Sequence, residues 1–487
     1  MVSTPRKNKQ HAAYSEHHAS RAARRTFAHA LMNTTSFFRR LVRSVVPAGE
    51  RGRIERQVKR VVQLCHGLLS ERGEVSGAAL ARDALSAYQA LPDAALPAFF
   101  DRLVTEFSPN PLTLEQAYEA YRAQPTQDNL IRLQHAVEPP RQELFRRLNM
   151  APGGTAVLVN MRRRLLGTLK ARPEWRGIDA DLYHLVVSWF NRGFLQLERV
   201  DWQTPAIVLE KLIAYEAVHE ITGWKDLRRR LEGDRRCFAF FHPALPHEPL
   251  IFIEVALSRG LSSSVQPLLA PDAPPLDPAD ADTAIFYSIT NCQEGLRGVS
   301  FGNLLIKQVA QRLGQEFPRI KTFATLSPVP GFRAWLTAAA PRLAETPQGE
   351  FMAEALKRLE DSDWHRQTKT ADALRKILMP LCAHYLVHGG GDGNNFDPVA
   401  RFHLGNGARL ERLNWMADTS RRGMQQSAGM MVNYLYRLDQ VEENHEAFVR
   451  DHRVVASAEI RKLVREYPST KSKAAVEERA AAPKTAS

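Results

Sequence analysis

Along residues 53–200 apolar positions recur every three or four residues. In "RIERQVKRVVQLCHGLL", Ile54, Val58, Val61, Val62 and Cys65 fall on one face of a helix and the basic residues on the other. The stretches "GAALARDALSAYQAL", "PAFFDRLVTEF", "EQAYEAYRA", "RQELFRRLNM" and "DADLYHLVVSWFNRGFLQL" keep this periodicity, punctuated by Pro139-Pro140 and Gly153-Gly154. The pattern predicts an all-helical domain over residues 50–200.

Beyond Asp201 the period shortens. "CFAFFHP" and "PLIFIEVALS" are apolar runs of strand length on either side of "ALPHE", which predicts a hairpin. A Pro- and Asp-rich loop, "APDAPPLDPADADT", leads to a third strand, "AIFYSIT"; a glycine-bearing turn, the helix "NLLIKQVAQRLGQEF" and a fourth strand, "KTFATLS", follow. Strand, turn, helix and strand make a crossover unit, so residues 201–465 are expected to form a mixed α/β domain. Helical patterns return from Gly331 to Trp364 and from Thr370 to Leu386. Ser327 closes the fourth strand, and Pro328 and Pro330 stiffen the backbone that follows it.

Charge changes this picture less than its total implies. The net charge is +13, but residues 1–60 hold fourteen Lys/Arg against three Asp/Glu, so +11 of it lies there. The nearly neutral body has no basic cluster interleaved with aromatics, which argues against a nucleic-acid surface. The run "NMRRRLLGTLKAR" (residues 160–172) reads as a solvated helix face, and a phosphate-bearing small ligand would suit it equally. Residues 1–49, with the single acid Glu16, read as a disordered basic tail; the same composition would serve as a segment directing the chain to the mitochondrial matrix. Residues 466–487 are low-complexity and read as a second disordered tail. Four cysteines without a CxxC pair argue against a disulfide framework or structural zinc and for a reducing compartment, here taken as the cytoplasm. No apolar run reaches the roughly 18 residues of a membrane span.

Candidate chemistry begins in "NCQEGLRGVSFGNLLIK", residues 291–307. Glycines between a strand and a helix let backbone N–H groups approach a phosphate at the positive end of the helix dipole. Arg297, Ser300 and Gly302 fill the frame of the Arg/Gln-x-x-Gly-x-Gly/Ala loop with which acyl-CoA N-acyltransferase (GNAT-type) folds hold the CoA pyrophosphate, with Ser300 where a glycine is usual. His384 and His388, four apart in "CAHYLVHGG", lack a third ligand or an HExxH frame, so no metal site is expected. "GGGDGNNFDP" lacks the terminal glutamate of an EF-hand and reads as a loop bordering the site.

The blocks "AIFYSITNCQEGLRGVSFGNLLIK", "FPRIKTFATLSPVPGFRAWL", "DPVARFHLGNGARLERLNWMADTSRRG" and "VNYLYRL" resemble, in order and spacing, the signature blocks of the malonyl-CoA decarboxylase family; "AYEAVHEITGWKDLRRRL" adds to the likeness. The resemblance implies a helical domain, of use for homo-oligomerisation as a dimer or tetramer, before a GNAT-like catalytic domain. It implies conversion of malonyl-CoA to acetyl-CoA and CO2, within fatty acid metabolism and without a cofactor. It makes Ser327 and His403 catalytic and Tyr436 an active-site tyrosine, and it makes Arg297, Gly298, Val299, Ser300, Phe301, Gly302 and Asn303 the malonyl-CoA-binding loop. Some family members carry a glutamate where Ser300 stands, so whatever that carboxylate does must be done otherwise here. Taken alone, Ser327 reads as a turn residue and His403 and Tyr436 as core. A CoA-dependent N-acyltransferase and a non-catalytic malonyl-CoA-binding protein stay open beside the decarboxylase.

Overall fold

The computed structural model describes residues 48–70, 72–299, 305–344, 349–389 and 396–467. The chain divides into two compact units, Met1–Leu158 with Thr168–Leu182, and Val159–Gly167 with Tyr183–Ser487.

The first unit is helical. Its helices include Ala48–Leu69, Arg72–Gln89, Leu96–Glu106, Pro111–Ala123, Gln127–Val137 and Pro140–Asn149. Val58, Val61, Val62 and Cys65 are buried, as the period of the first helix requires, and so are Tyr88, Phe99, Phe100, Leu103, Phe145 and Trp175 of this unit. Starts are set locally: Asn110 accepts from the Leu112 and Thr113 N–H groups with Pro111 in the first turn, and Thr126 accepts from Asn129 N–H. A buried Arg141–Asp181 ion pair fastens this unit, with Gln142 donating to the same carboxylate at 2.7 Å and Arg141 to Ser108 at 2.8 Å.

The second unit is built on a mixed sheet: β1 Gln196–Val200, β2 Arg235–Phe241, β3 Ile251–Ser258, β4 Thr283–Asn291, β5 Thr322–Thr325, β6 Ser327–Pro328, β7 Arg409–Asn414 and β8 Met431–Leu435. β1 to β4 are antiparallel neighbours in chain order, β5 lies parallel to β4, and β5 and β6 lie end to end against β8, which pairs with β7 on its other side. The parallel step follows from the crossover helix Leu305–Glu316, which seats Leu305, Ile306, Val309, Ala310 and Leu313 in one core with Phe238, Ile253 and Phe286 of the sheet. The opposite face packs Cys237, Ala239 and Phe252 against Val208, Leu209 and Leu212 of the helix Ala206–Tyr215. Charge is buried there too: Glu254 of β3 accepts from Arg230, which also holds Asp226. This helical unit with a mixed α/β sheet unit is the expected fold class. Among the described residues no helix is long and apolar enough to cross a membrane.

Two local features differ from the sequence reading. The helical texture taken to Val200 ends at Trp189, and Gln196–Val200 instead adds an edge strand to β2. Asn191 and Gly193 break the helix, and the segment that follows is held by its pairing with β2 and by Leu195, Leu197 and Val200, which pack on the core between exposed polar side chains. The second concerns Ser327, which does not end the pairing. After Leu326 the chain pairs again, Ser327 with Val432 and Pro328 with Met431, so the serine is held inside the sheet.

Candidate active site

Ser327 and His403 come from segments 76 residues apart and meet at 2.9 Å, Oγ to Nε2. Ser327 sits on β6, placed by its pairing with β8. His403 lies on the helix Pro398–Gly405, which starts where Asp397 accepts from the N–H groups of Val399 and Ala400 and Pro398 fills the first helical position. The same Asp397 carboxylate accepts from Gly331 N–H at 2.8 Å, in the turn after Ser327, and from the Tyr385 hydroxyl at 3.4 Å. One buried side chain therefore ties the serine's turn to the histidine's helix. Burial pushes its carboxyl above the ordinary range, while the three backbone N–H groups and Tyr385 pull the other way. The approach at Gly331 is close enough that a Cβ would stand 2.3 Å from the Tyr385 hydroxyl and 3.0 Å from Asp397 Oδ2.

On its other side His403 meets Tyr436, Nδ1 to hydroxyl at 2.8 Å, and its ring stacks on Tyr434 with centroids 4.6 Å apart. Tyr434 lies on β8 and Tyr436 directly follows it, both buried in the core, and Tyr436 N–H donates to Phe323 O at 2.8 Å. His403 is buried with no carboxylate beside it, and burial alone lowers its pKa to about 3; Tyr436 is raised well above the ordinary phenol value by the same cause. Both rings are neutral at physiological pH. Asn433, fully buried, fixes the end of β5 by donating to Thr325 O at 2.7 Å and to Ser262 O at 3.1 Å, while its own carbonyl accepts from Asn414 and Arg412.

The loop expected to hold CoA is described as far as Val299. Ser300, Phe301, Gly302 and Asn303 lie outside the described residues. Arg297 is exposed and paired with Glu294 at 2.9 Å, Gly298 takes a φ of 86° that favours glycine, and Val299 is buried. Two residues that sequence reasoning missed support this loop. Arg162 donates to the carbonyls of Gly295 and Arg297 at 2.8 and 3.0 Å, and the Tyr183 hydroxyl donates to Gly298 O at 3.1 Å. The basic run that contains Arg162 was the available signal, but this arginine is buried and serves the backbone rather than solvent. Among the described residues no hydrogen bond joins Arg297, Gly298 or Val299 to Ser327, His403 or Tyr436. No group of three His, Cys, Asp or Glu side chains among them is placed to hold a metal ion.

A buried hydroxyl and imidazole in contact, flanked by phenols and free of carboxylates, can pass or place a proton without creating net charge. The comparisons with known proteins say in which family this arrangement sits. Residues 193–474 match the model of the malonyl-CoA decarboxylase C-terminal domain, and residues 107–190 that of the N-terminal domain. The chain belongs to the malonyl-CoA decarboxylase family. It is 39% identical over 361 residues to the mitochondrial malonyl-CoA decarboxylase of Anser anser anser, covering 69% of this chain and 71% of that protein. The solved malonyl-CoA decarboxylase of Rhodopseudomonas palustris is 48% identical, with a TM-score of 0.78 over 83% of this chain and 99% of that one. That of Cupriavidus metallidurans is 38% identical, with a TM-score of 0.62 over 84% and 99%. Membership of this family makes the chain a decarboxylase, a lyase.

Proposed function

We propose that this chain converts malonyl-CoA to acetyl-CoA and CO2, with Ser327 and His403 as its catalytic residues and Tyr436 in support. The observation that carries this reading is the buried contact of Ser327 with His403 and of His403 with Tyr436, in a chain of this family. Loss of CO2 leaves an electron pair on the α-carbon, and the adjacent thioester carbonyl takes it up as an enolate, so the substrate supplies its own electron sink. What remains for the protein is to bind the thioester, keep the departing carboxylate poorly hydrated, and deliver a proton to the α-carbon. His403, buried and neutral, delivers it directly or through Ser327. The loop Arg297 to Asn303 holds the CoA pyrophosphate in this reading, braced by Arg162 and Tyr183.

The test is to incubate the purified chain with malonyl-CoA and no amine and to follow acetyl-CoA and CO2 together. Equimolar products, reduced about 10²- to 10⁴-fold in His403→Ala, are expected. Intact malonyl-CoA in a folded, CoA-binding protein would favour a sensor, and CoA released only when an amine is added would favour an acyltransferase. All four cysteines are free thiols, which fits our placing of the chain in the reducing cytoplasm, where it would remove malonyl-CoA from fatty acid metabolism. We assign self-association to the helical unit, whose hairpin Pro111–Ala123 and Gln127–Val137 buries no residue and exposes Leu112 and Val137. A monomeric mass by light scattering would remove that assignment.

A further inference from the structure

The hydrogen bonds around Ser327 run in one direction. Thr325 Oγ1, at the end of β5, accepts from Tyr434 N–H at 3.1 Å and from the Ser327 hydroxyl at 2.9 Å. Thr325 is fully buried, so neither bond competes with bulk water. A serine hydroxyl has one hydrogen. With that hydrogen on Thr325, Ser327 Oγ meets His403 Nε2 only as an acceptor, and Nε2 must be the nitrogen that carries the ring's hydrogen. A neutral imidazole has one N–H, so Nδ1 is left as the acceptor and the Tyr436 hydroxyl donates to it. The direction is thus Tyr436 to His403, His403 to Ser327, and Ser327 to Thr325. The hydrogen of Thr325 itself takes the remaining position around Oγ1 and has no acceptor among the described residues.

We propose that Thr325 is a positioning residue: by taking the Ser327 hydrogen it holds His403 as the Nε2–H tautomer, so that the pair faces its substrate as a proton donor rather than as a base. In a hydrolase the serine gives its hydrogen to the histidine and is thereby readied to attack a carbonyl. Here the sense is reversed, which suits protonation of a carbanion and works against acylation of Ser327. Burial of His403 without a carboxylate agrees with this, since nothing in contact with it stabilises the imidazolium that a general base would become.

For the reaction itself the inference rests on the function proposed above. The bond from the α-carbon to the carboxylate breaks, CO2 leaves, and the electron pair passes to the thioester enolate. The Ser327 hydrogen turns from Thr325 to the α-carbon while the His403 Nε2–H holds the oxygen it leaves, and as the products depart that oxygen recovers a proton from solvent, which restores the resting directions. One proton is consumed per malonyl-CoA, as the conversion to acetyl-CoA and CO2 requires.

The test uses the full chain labelled with ¹⁵N-histidine, with His403 assigned by its loss in His403→Gln. The nitrogen shifts of the unliganded protein are expected to show the proton on Nε2 of His403. Thr325→Val, which keeps the shape and removes the hydroxyl, is expected to move the population toward Nδ1–H. It should also lower kcat on malonyl-CoA at least about tenfold, with KM held within about threefold. Thr325→Ser is expected to restore both tautomer and kcat. A wild-type proton on Nδ1, a Thr325→Val protein that keeps its tautomer and kcat, or a Thr325→Ser protein that fails to recover would each overturn the proposal. Should Thr325→Val fail to fold, the wild-type shifts and Thr325→Ser still decide it. The tautomer is read without turnover, so it stands or falls apart from the activity, whose own failure is the absence of acetyl-CoA from the wild-type protein.

Discussion

At the scale of single residues, burial rather than charge pairing governs the site. His403 touches Ser327, Tyr434, Tyr436 and Phe402 and no ionised group, and burial takes its pKa from 6.5 to about 3. A histidine acting as a protonated acid or as a base would impose an inflection on kcat near its ordinary pKa of about 6.5. Here kcat for loss of CO2 is expected to show no such inflection between about pH 5.5 and 8, because the ring stays neutral across that window. An inflection near neutrality that vanished in His403→Gln would contradict the assigned state. Legibility was uneven at this scale. Ser327, His403 and Tyr436 could be named through the resemblance, while their own neighbourhoods in the chain read as turn and core. Thr325 and Asp397 bond locally, to Ser327 and to the Val399 and Ala400 N–H groups, but each also holds a distant partner, Tyr434 and Gly331, 109 and 66 residues away, and that second bond left no signal. A linear pattern of polarity reports which face a side chain takes, and says nothing of which backbone it will meet.

At the scale of elements, the site exists because a helix start, a turn and a strand are fixed to one another through Asp397. Removing its carboxylate takes the cap from the helix that carries His403 and leaves Gly331 N–H without its acceptor. Loss of an N-cap costs about 1 kcal/mol, and an orphaned buried donor about 1–3 kcal/mol. Asp397→Ala is therefore expected to lower stability by roughly 2–4 kcal/mol in urea unfolding. Its kcat should fall as well, since the distance between Ser327 and His403 is no longer held from both sides. Asp397→Asn keeps an accepting oxygen for the cap and should lie between the two. Equal stability of Asp397→Ala and wild type would show that the turn and the helix are held by other means. The elements themselves were legible where apolar runs are long. β2, β3, β4, β5 and the crossover helix stand out because both faces of the sheet are buried and their strands read as continuous hydrophobic stretches. β1 and β7 were not legible: "QLERV" and "RLERLN" alternate charge with apolar residues at the sheet's margins, a pattern that an amphipathic helix turn would share.

At the scale of the whole molecule, buried titratable groups set how stability responds to acid. His403 has a folded pKa of about 3 and His219 and His384 of about 4, all three lowered first of all by burial from 6.5. Below about pH 6.5 the unfolded chain binds protons that the folded one refuses at these three positions, so stability falls as pH falls toward 4. Glu254 works in the opposite sense. Burial raises its carboxyl from 4.5 to about 7, against the pull of Arg230, so the folded state takes its proton first. Its contribution is fully present below about pH 4.5 and is lost as pH rises through about 7. Between about pH 6.5 and 4.5 the three histidines outweigh the one glutamate by between about one and two protons, the half-buried His384 counting for less because solvent screens it, and each proton is worth about 1.4 kcal/mol per pH unit. Urea unfolding across that window is expected to show stability declining toward acid by between about one and two times that slope, and His403→Gln, which removes one of the three histidine protons, should make the profile shallower by about one proton's worth. A slope unchanged by the substitution would mean that His403 is protonated in the folded protein. That result would place a charge between Ser327 and Tyr436 and make the site a cationic acid rather than a neutral donor.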